Sequence, residues 1–152
     1  MRDFRSILNI LGLLLCIESS AMLVPMFVDL YYGNYDWVQF FYISLLTFII
    51  GIILYFSFRK KNIKLSIRQA FVLTISSWLI IALFGSIPFI YSVSSLSYTD
   101  AFFESVSGIT TTGATVISNL DSLTEGILIW RALLQWFGGI GIIVLAMAIL
   151  PT

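Results

Sequence analysis

Histidine is absent from the 152 residues, and the charged residue types together supply only 11% of them. Without histidine the chain lacks the commonest metal ligand and the usual general base near neutral pH, so hydrolytic catalysis loses its best candidate. The single cysteine, Cys16, forms no disulfide within the chain; set in an apolar segment, it reads as a small packing residue and reveals no redox compartment. Apolar residues fill the space that charge leaves. A hydrophobic content of 59% and a mean hydropathy of +1.01 are values of polytopic membrane proteins rather than soluble domains. Membrane lipid is therefore the first expected partner, and no nucleic acid is expected. The net charge of zero is unevenly laid out: five of the eight basic residues fall within positions 59–68, while positions 94–125 hold four carboxylates and no lysine or arginine.

Residues 7–28, 38–58, 69–93 and 126–150 are each apolar over about the twenty residues a helix needs to cross the hydrocarbon layer. A secretory leader, suggested by Arg2, Arg5 and Ser19-Ser20-Ala21, is the weaker reading of the first stretch, because the apolar run continues and further spans follow. Glu18 lies inside that span; an ionisable residue there is a functional hypothesis by default, and beside Ser19 and Ser20 it is equally a paired structural carboxylate. Pro25 is expected to kink the far end. Positions 29–36, with Gly33 and Asn34, form a turn, and Tyr31, Tyr32, Tyr35 and Trp37 have the character of an interfacial aromatic belt. Arg59-Lys60-Lys61, with Lys64 and Arg68, puts the next connection on the cytoplasmic side, and two spans bring the amino terminus to the same side. Gly85 and Pro88 are expected kink sites in the third span.

Between the third and fourth spans, positions 99–107 form a helix too short to cross a bilayer, N-capped by Ser97 with Asp100 in the capping-box position. Ser107-Gly108-Ile109-Thr110-Thr111-Thr112-Gly113-Ala114-Thr115 follows it. Polar, irregular backbone at membrane depth is tolerated only where protein encloses it or it lines a wet cavity, so the helix is expected to be re-entrant and the run to line a path. A helix stopping at Gly108 turns the negative end of its dipole towards the bilayer middle. Carbonyls and hydroxyls of the threonine run can then replace the water shell of a cation, as filter loops of potassium channels do. Gly113 adopts backbone angles that a Cβ resists, and carboxylates around the mouth would concentrate cations.

Rival motifs fare worse. Gly108 and Gly113 have the glycine spacing of a Walker A loop, but Ala114 stands where the phosphate-binding lysine belongs. Ser105 and Ser107 have no histidine to activate them as nucleophiles. A bland alternative is that the threonines satisfy a turn between packed helices. Gly138, Gly139 and Gly141 supply small residues for close helix packing. Arg131 is as apt to snorkel or pair with an acidic loop residue as to touch an ion.

The threonine run together with Trp136-Phe137-Gly138-Gly139-Ile140-Gly141, and the order of elements, strongly resembles the amino-terminal part of the TrkH/KtrB potassium transporters, the TrkH branch in particular. The resemblance implies an all-α integral membrane protein of four transmembrane helices, one re-entrant pore half-helix and a filter loop, multi-pass in a bacterial inner membrane. It implies a transporter and not an enzyme. Residues 1–68 would be an extra helix pair and residues 69–152 the first of four helix, pore-loop, helix repeats. Thr110, Thr111, Thr112, Gly113 and Ala114 would be the filter, with Asp100, Phe103, Glu104, Ser107 and Gly108 on the pore helix. The backbone carbonyls of Thr111, Thr112 and Gly113 would hold potassium, the transported ligand, with no other cofactor. Gly113 matches the filter glycine; in plant relatives a serine there accompanies sodium transport. Family members also associate with a cytoplasmic nucleotide-binding regulatory subunit and form homo-oligomers. One repeat stands here where the family's pore has four. The other loops would then come from a longer gene product or from further copies around an axis, or else the chain is a truncated, non-conducting membrane module.

Overall fold

A computed structural model describes residues 4–59, 66–93 and 96–149. Among these all the regular secondary structure is helical: α1 Phe4–Ala21, α2 Leu23–Tyr32, α3 Asp36–Ser57, α4 Ile67–Gly85, α5 Ile87–Ser92, α6 Tyr98–Ile109 and α7 Glu125–Ile149, with a 3-10 turn at Leu120–Ser122. Four stretches, Phe4–Tyr32, Asp36–Ser57, Arg68–Ser92 and Glu125–Ile143, are long and apolar enough to span a membrane. Arg2, Lys60, Lys61 and Lys64, on which the cytoplasmic assignment leans, lie outside the described residues.

Proline sets both breaks within spans. Pro25 has no N–H to offer the Ala21 carbonyl one turn earlier, and the first span is interrupted at Met22, ahead of the proline itself. Pro88 likewise withdraws a donor from Phe84, and the third span breaks at Ser86. α2 ends on Gly33 at φ +79°, a left-handed cap whose N–H donates to the Asp29 carbonyl, so the chain turns straight into α3. Tyr31, Tyr32 and Tyr35 stand exposed around this turn.

α1 and α3 cross at two glycines that the sequence reading passed over. A Cβ on Gly12 would lie 2.5 Å from the Tyr55 nitrogen, and one on Gly51 would lie 2.9 Å from the Gly12 oxygen. Only hydrogen at both positions permits that approach, the usual device for packing helices in lipid. Asn9 Nδ2 donates to the Tyr55 carbonyl at 2.7 Å and Ser44 Oγ to the Ser19 carbonyl at 2.8 Å, tying the same pair together.

Trp130 of α7 is the hub of the core. It is fully buried, stacks edge-on to Phe40 of α3, and its indole N–H donates to the Gly85 carbonyl at 2.9 Å, where the break at Ser86 leaves the α4 ladder incomplete. Met22, Met26, Phe89, Ala101, Ile127 and Leu134 complete this core, which joins α2, α3, α5, α6 and α7. Outward faces remain apolar: Leu46, Ile49, Ile53 and Phe56 of α3 are all exposed, as suits lipid or further protein rather than water.

Candidate functional site

α6 is 12 residues long, about 18 Å at the α-helical rise, well short of a bilayer. Its start is as expected: the Ser97 hydroxyl accepts from the Asp100 N–H, and the Asp100 carboxylate accepts from the Ser97 N–H, a complete capping box. Its end differs from the expectation. The helix runs through Gly108 and stops at Ile109, with Thr110 as C-cap. Gly108 stays helical because it is a seat, not a stop: a Cβ there would lie 3.1 Å from Leu134 Cβ on α7.

The reversal is made by Thr111, at φ +58°, and Gly113, at φ +76°. Thr111 N–H donates to the Gly108 carbonyl and Thr112 N–H to the Ser107 carbonyl, the paired bonds of a Schellman cap. Glycine normally holds the left-handed position of that motif; a β-branched threonine there is a genuine outlier. Thr110 N–H and Oγ1 both donate to the Val106 carbonyl. The Val106, Ser107 and Gly108 carbonyls are thus occupied by the cap, and the Ile109 carbonyl, last in α6, lies against Gly138. Beyond it, among the described residues no donor reaches the carbonyls of Thr110, Thr111, Thr112 or Gly113. Residues 111–116 are exposed.

Behind this exposed run the chain is locked to α6. Ser107 Oγ donates to the Ala114 carbonyl at 2.6 Å. One turn back, Glu104 Oε1 accepts from Thr115 Oγ1 at 2.6 Å and from the Val116 N–H at 2.7 Å. Its other oxygen lies 3.1 Å from Arg131 Nη2 on α7, an ion pair with Glu104 fully buried and Arg131 15% exposed. A buried charge held by a counter-charge and two hydrogen bonds is a rigid post; breaking such a pair from one side typically costs about 3–5 kcal/mol. Residues 104, 107, 114 and 115 pair across the reversal like the two arms of a hairpin.

Glu104 is therefore not a mouth carboxylate. Asp100 is held in its cap, Glu125 accepts from Asn34 Nδ2 at 2.8 Å, and of the four acidic residues in positions 94–125 only Asp121 is exposed. Phe103 is 43% exposed and takes no part in the hairpin. Gly138 meets the Ile109 carbonyl so closely that a Cβ would overlap it, whereas Gly139 and Gly141 face open space among the described residues. Sequence reading gave Thr115 no role of its own and offered an acidic loop residue as one partner for Arg131 without naming which; that partner is Glu104. The available signal was a buried-type acid and two hydroxyls placed about evenly on either side of a glycine-bounded reversal.

A family model described as TrkH, cation transport protein, matches residues 37–152. The Trk system potassium uptake protein TrkH of Escherichia coli (strain K12) is 46% identical over 97% of this chain, which covers 31% of that protein. An uncharacterized cation transporter of Methanocaldococcus jannaschii is 39% identical over 98% of the chain, again covering 31% of the relative. The crystal structure of the potassium transporter TrkH from Vibrio parahaemolyticus superposes with a TM-score of 0.92 at 45% identity, over 99% of this chain and 32% of that one. The chain spans about a third of the length of the relatives it matches.

Proposed function

Because the chain belongs to the TrkH family of cation transport proteins, we propose that it supplies one limb of the selectivity filter of a potassium uptake protein. The observation that carries this is the run Thr110–Gly113, exposed from Thr111 onward, whose carbonyls are unpartnered among the described residues while its back is fixed to α6 by Ser107 and Glu104. A dehydrated cation needs oxygens held at fixed distances, and free carbonyls on a braced backbone meet that need. α6 then acts as a re-entrant pore helix, and residues 69–152 as one pore repeat beside the helix pair of residues 1–68. Thr111, Thr112 and Gly113 offer the carbonyls, Thr110 and Ala114 flank them, and Gly138 seats the end of the pore helix.

One limb cannot surround an ion. Spanning about a third of its relatives, this chain fits a module whose partner limbs come from further repeats or copies. The 152-residue chain alone in liposomes is accordingly expected to carry no potassium flux as a monomer, and flux from monomers would contradict this reading. The names of its relatives give potassium uptake; our reading adds passage down the electrochemical gradient, a bacterial inner membrane and a cytoplasmic amino terminus. A cytoplasmic nucleotide-binding regulatory subunit and a second copy are the expected partners.

The deciding experiment is Gly113→Ser in the full-length protein, with rubidium and sodium uptake compared. Discrimination should fall at least tenfold, about 1.4 kcal/mol, because a Cβ resists the left-handed backbone that Gly113 adopts. An unchanged uptake ratio would remove Gly113 from the filter.

A further inference from the structure

The ion path leaves one buried acid unused. Glu18 of α1 is 2% exposed, and neither carboxyl oxygen has a hydrogen-bond partner among the described residues. It lines a cavity of about 400 Å³ that also touches Ile17, Ser77, Trp78, Ile81 and Phe137. The Ser77 hydroxyl already donates to the Leu73 carbonyl of its own helix. On the opposite side the acid looks onto the short helix α6. A Cβ built on Gly85 would stand 3.1 Å from Glu18 Oε1 and 2.8 Å from Ser105 Oγ, and Ser105 Oγ is also buried without a partner. Two unsatisfied oxygens, on α1 and α6, thus face each other across a glycine.

Among the described residues no counter-charge is at hand. Arg5 and Arg68 lie at the starts of α1 and α4, a full helix away from the break at Gly85 or at the far end of α1. Arg131 of α7 is engaged by Glu104 of α6, and Asp100 by the Ser97 cap. Asp29, Asp36 and Glu125 belong to the polar cluster around Asn34 and Thr124, at the ends of α2, α3 and α7. Tyr42, Tyr91 and Tyr98 are exposed, and Cys16 and Tyr55 pack at the Gly12 and Gly51 crossing. A buried, ionised carboxylate that is met by no cation and accepts no hydrogen bond is strongly disfavoured in such a place.

We propose that Glu18 is a proton-binding site at the back of α6, reached through the cavity, that takes up a proton to become a neutral acid on the far side of Gly85 from Ser105. Binding converts the carboxylate to a neutral acid; release places a negative charge beside the helix whose next residue, Glu104, braces the threonine run. The proposal concerns proton occupancy and does not depend on which ion the filter passes.

Dicyclohexylcarbodiimide, an apolar reagent that adds to protonated carboxylic acids, tests it on the full-length protein in membranes, with the adduct located by peptide mass spectrometry. An adduct on Glu18 is expected, falling roughly tenfold for each pH unit above the site's midpoint and unchanged by added sodium or potassium. Protection by either cation would overturn the proposal in favour of a metal-ion site. An adduct independent of pH would overturn it as well. Infrared difference spectra decide the case if the reagent fails to enter. A protonated-carboxyl band that is present in the wild type, fades as the pH is raised and is missing in Glu18→Gln, which keeps shape without charge, upholds the proposal. No such band means that Glu18 is ionised and paired elsewhere in the full-length protein.

Discussion

Thr111 and Gly113 take the same left-handed backbone region two residues apart, at φ +58° and +76°, with opposite consequences. For glycine the region is free; for a threonine it is a strain of about 1–3 kcal/mol that the surrounding bonds must hold. Substitution is therefore expected to have opposite signs at the two sites. Thr111→Gly should raise the unfolding free energy of the full-length protein by about 1 kcal/mol, and Gly113→Ala should lower it by about 1–2 kcal/mol. Denaturant unfolding in detergent checks both, and equal signs would contradict the assigned backbone. Gly138 has a different kind of constraint, a steric one. Because a Cβ there would overlap the Ile109 carbonyl, Gly138→Ala should displace the end of α6 and cost about 1–3 kcal/mol or more, whereas Gly141→Ala, facing open space, should cost little.

At the scale of the element, α6 is a short helix held at both ends by side chains and braced along its back by α7. Its start rests on the Ser97 and Asp100 box, so Ser97→Ala should cost about 1 kcal/mol and speed hydrogen exchange at the Tyr98–Asp100 amides several-fold. The brace matters more. Glu104→Gln leaves Arg131 without a counter-charge and is expected to destabilise by about 3 kcal/mol, with loss of ion discrimination in the full-length protein because Thr115 and Val116 lose a charged anchor. Rescue of discrimination by Arg131→Met in the same background would identify the stranded cation as the cause. The capping box was legible in the sequence because it is local, three residues from end to end. The Glu104–Thr115–Arg131 group was not, because it forms only after the chain has reversed and met another span.

For the whole molecule, the first helix pair meets the last span through the Phe40–Trp130 contact, the Asn34–Glu125 and Thr124–Asp36 hydrogen bonds and one capping acid. Asp29 at the end of α2 accepts from the Gly126 N–H at 2.9 Å and from Asn34 at 3.1 Å, and so caps α7 from a distant part of the chain. Gly126 allows this, since a Cβ would overlap the Asp29 carboxylate. Asp29→Ala strands the Gly126 amide and is expected to cost about 1–3 kcal/mol in unfolding while leaving the uptake ratio of rubidium to sodium unchanged, because the threonine run is anchored elsewhere. A changed ratio would mean that the helix pair shapes the filter directly.

Four apolar spans, two proline breaks, a short capped helix and a threonine run between them were determined by sequence alone. Bilayer thickness demands about twenty apolar residues in a row, and proline and capping act on neighbours in the chain; each is a constraint along one dimension. Tertiary structure alone decided where the helix end falls, which carboxylates are buried, and which of the three late glycines is a seat. It also set Arg131 on Glu104 and left Glu18 facing Ser105 across Gly85. Those outcomes depend on which surfaces meet once the spans pack, and residues 27 or 87 positions apart carry no local signal of meeting.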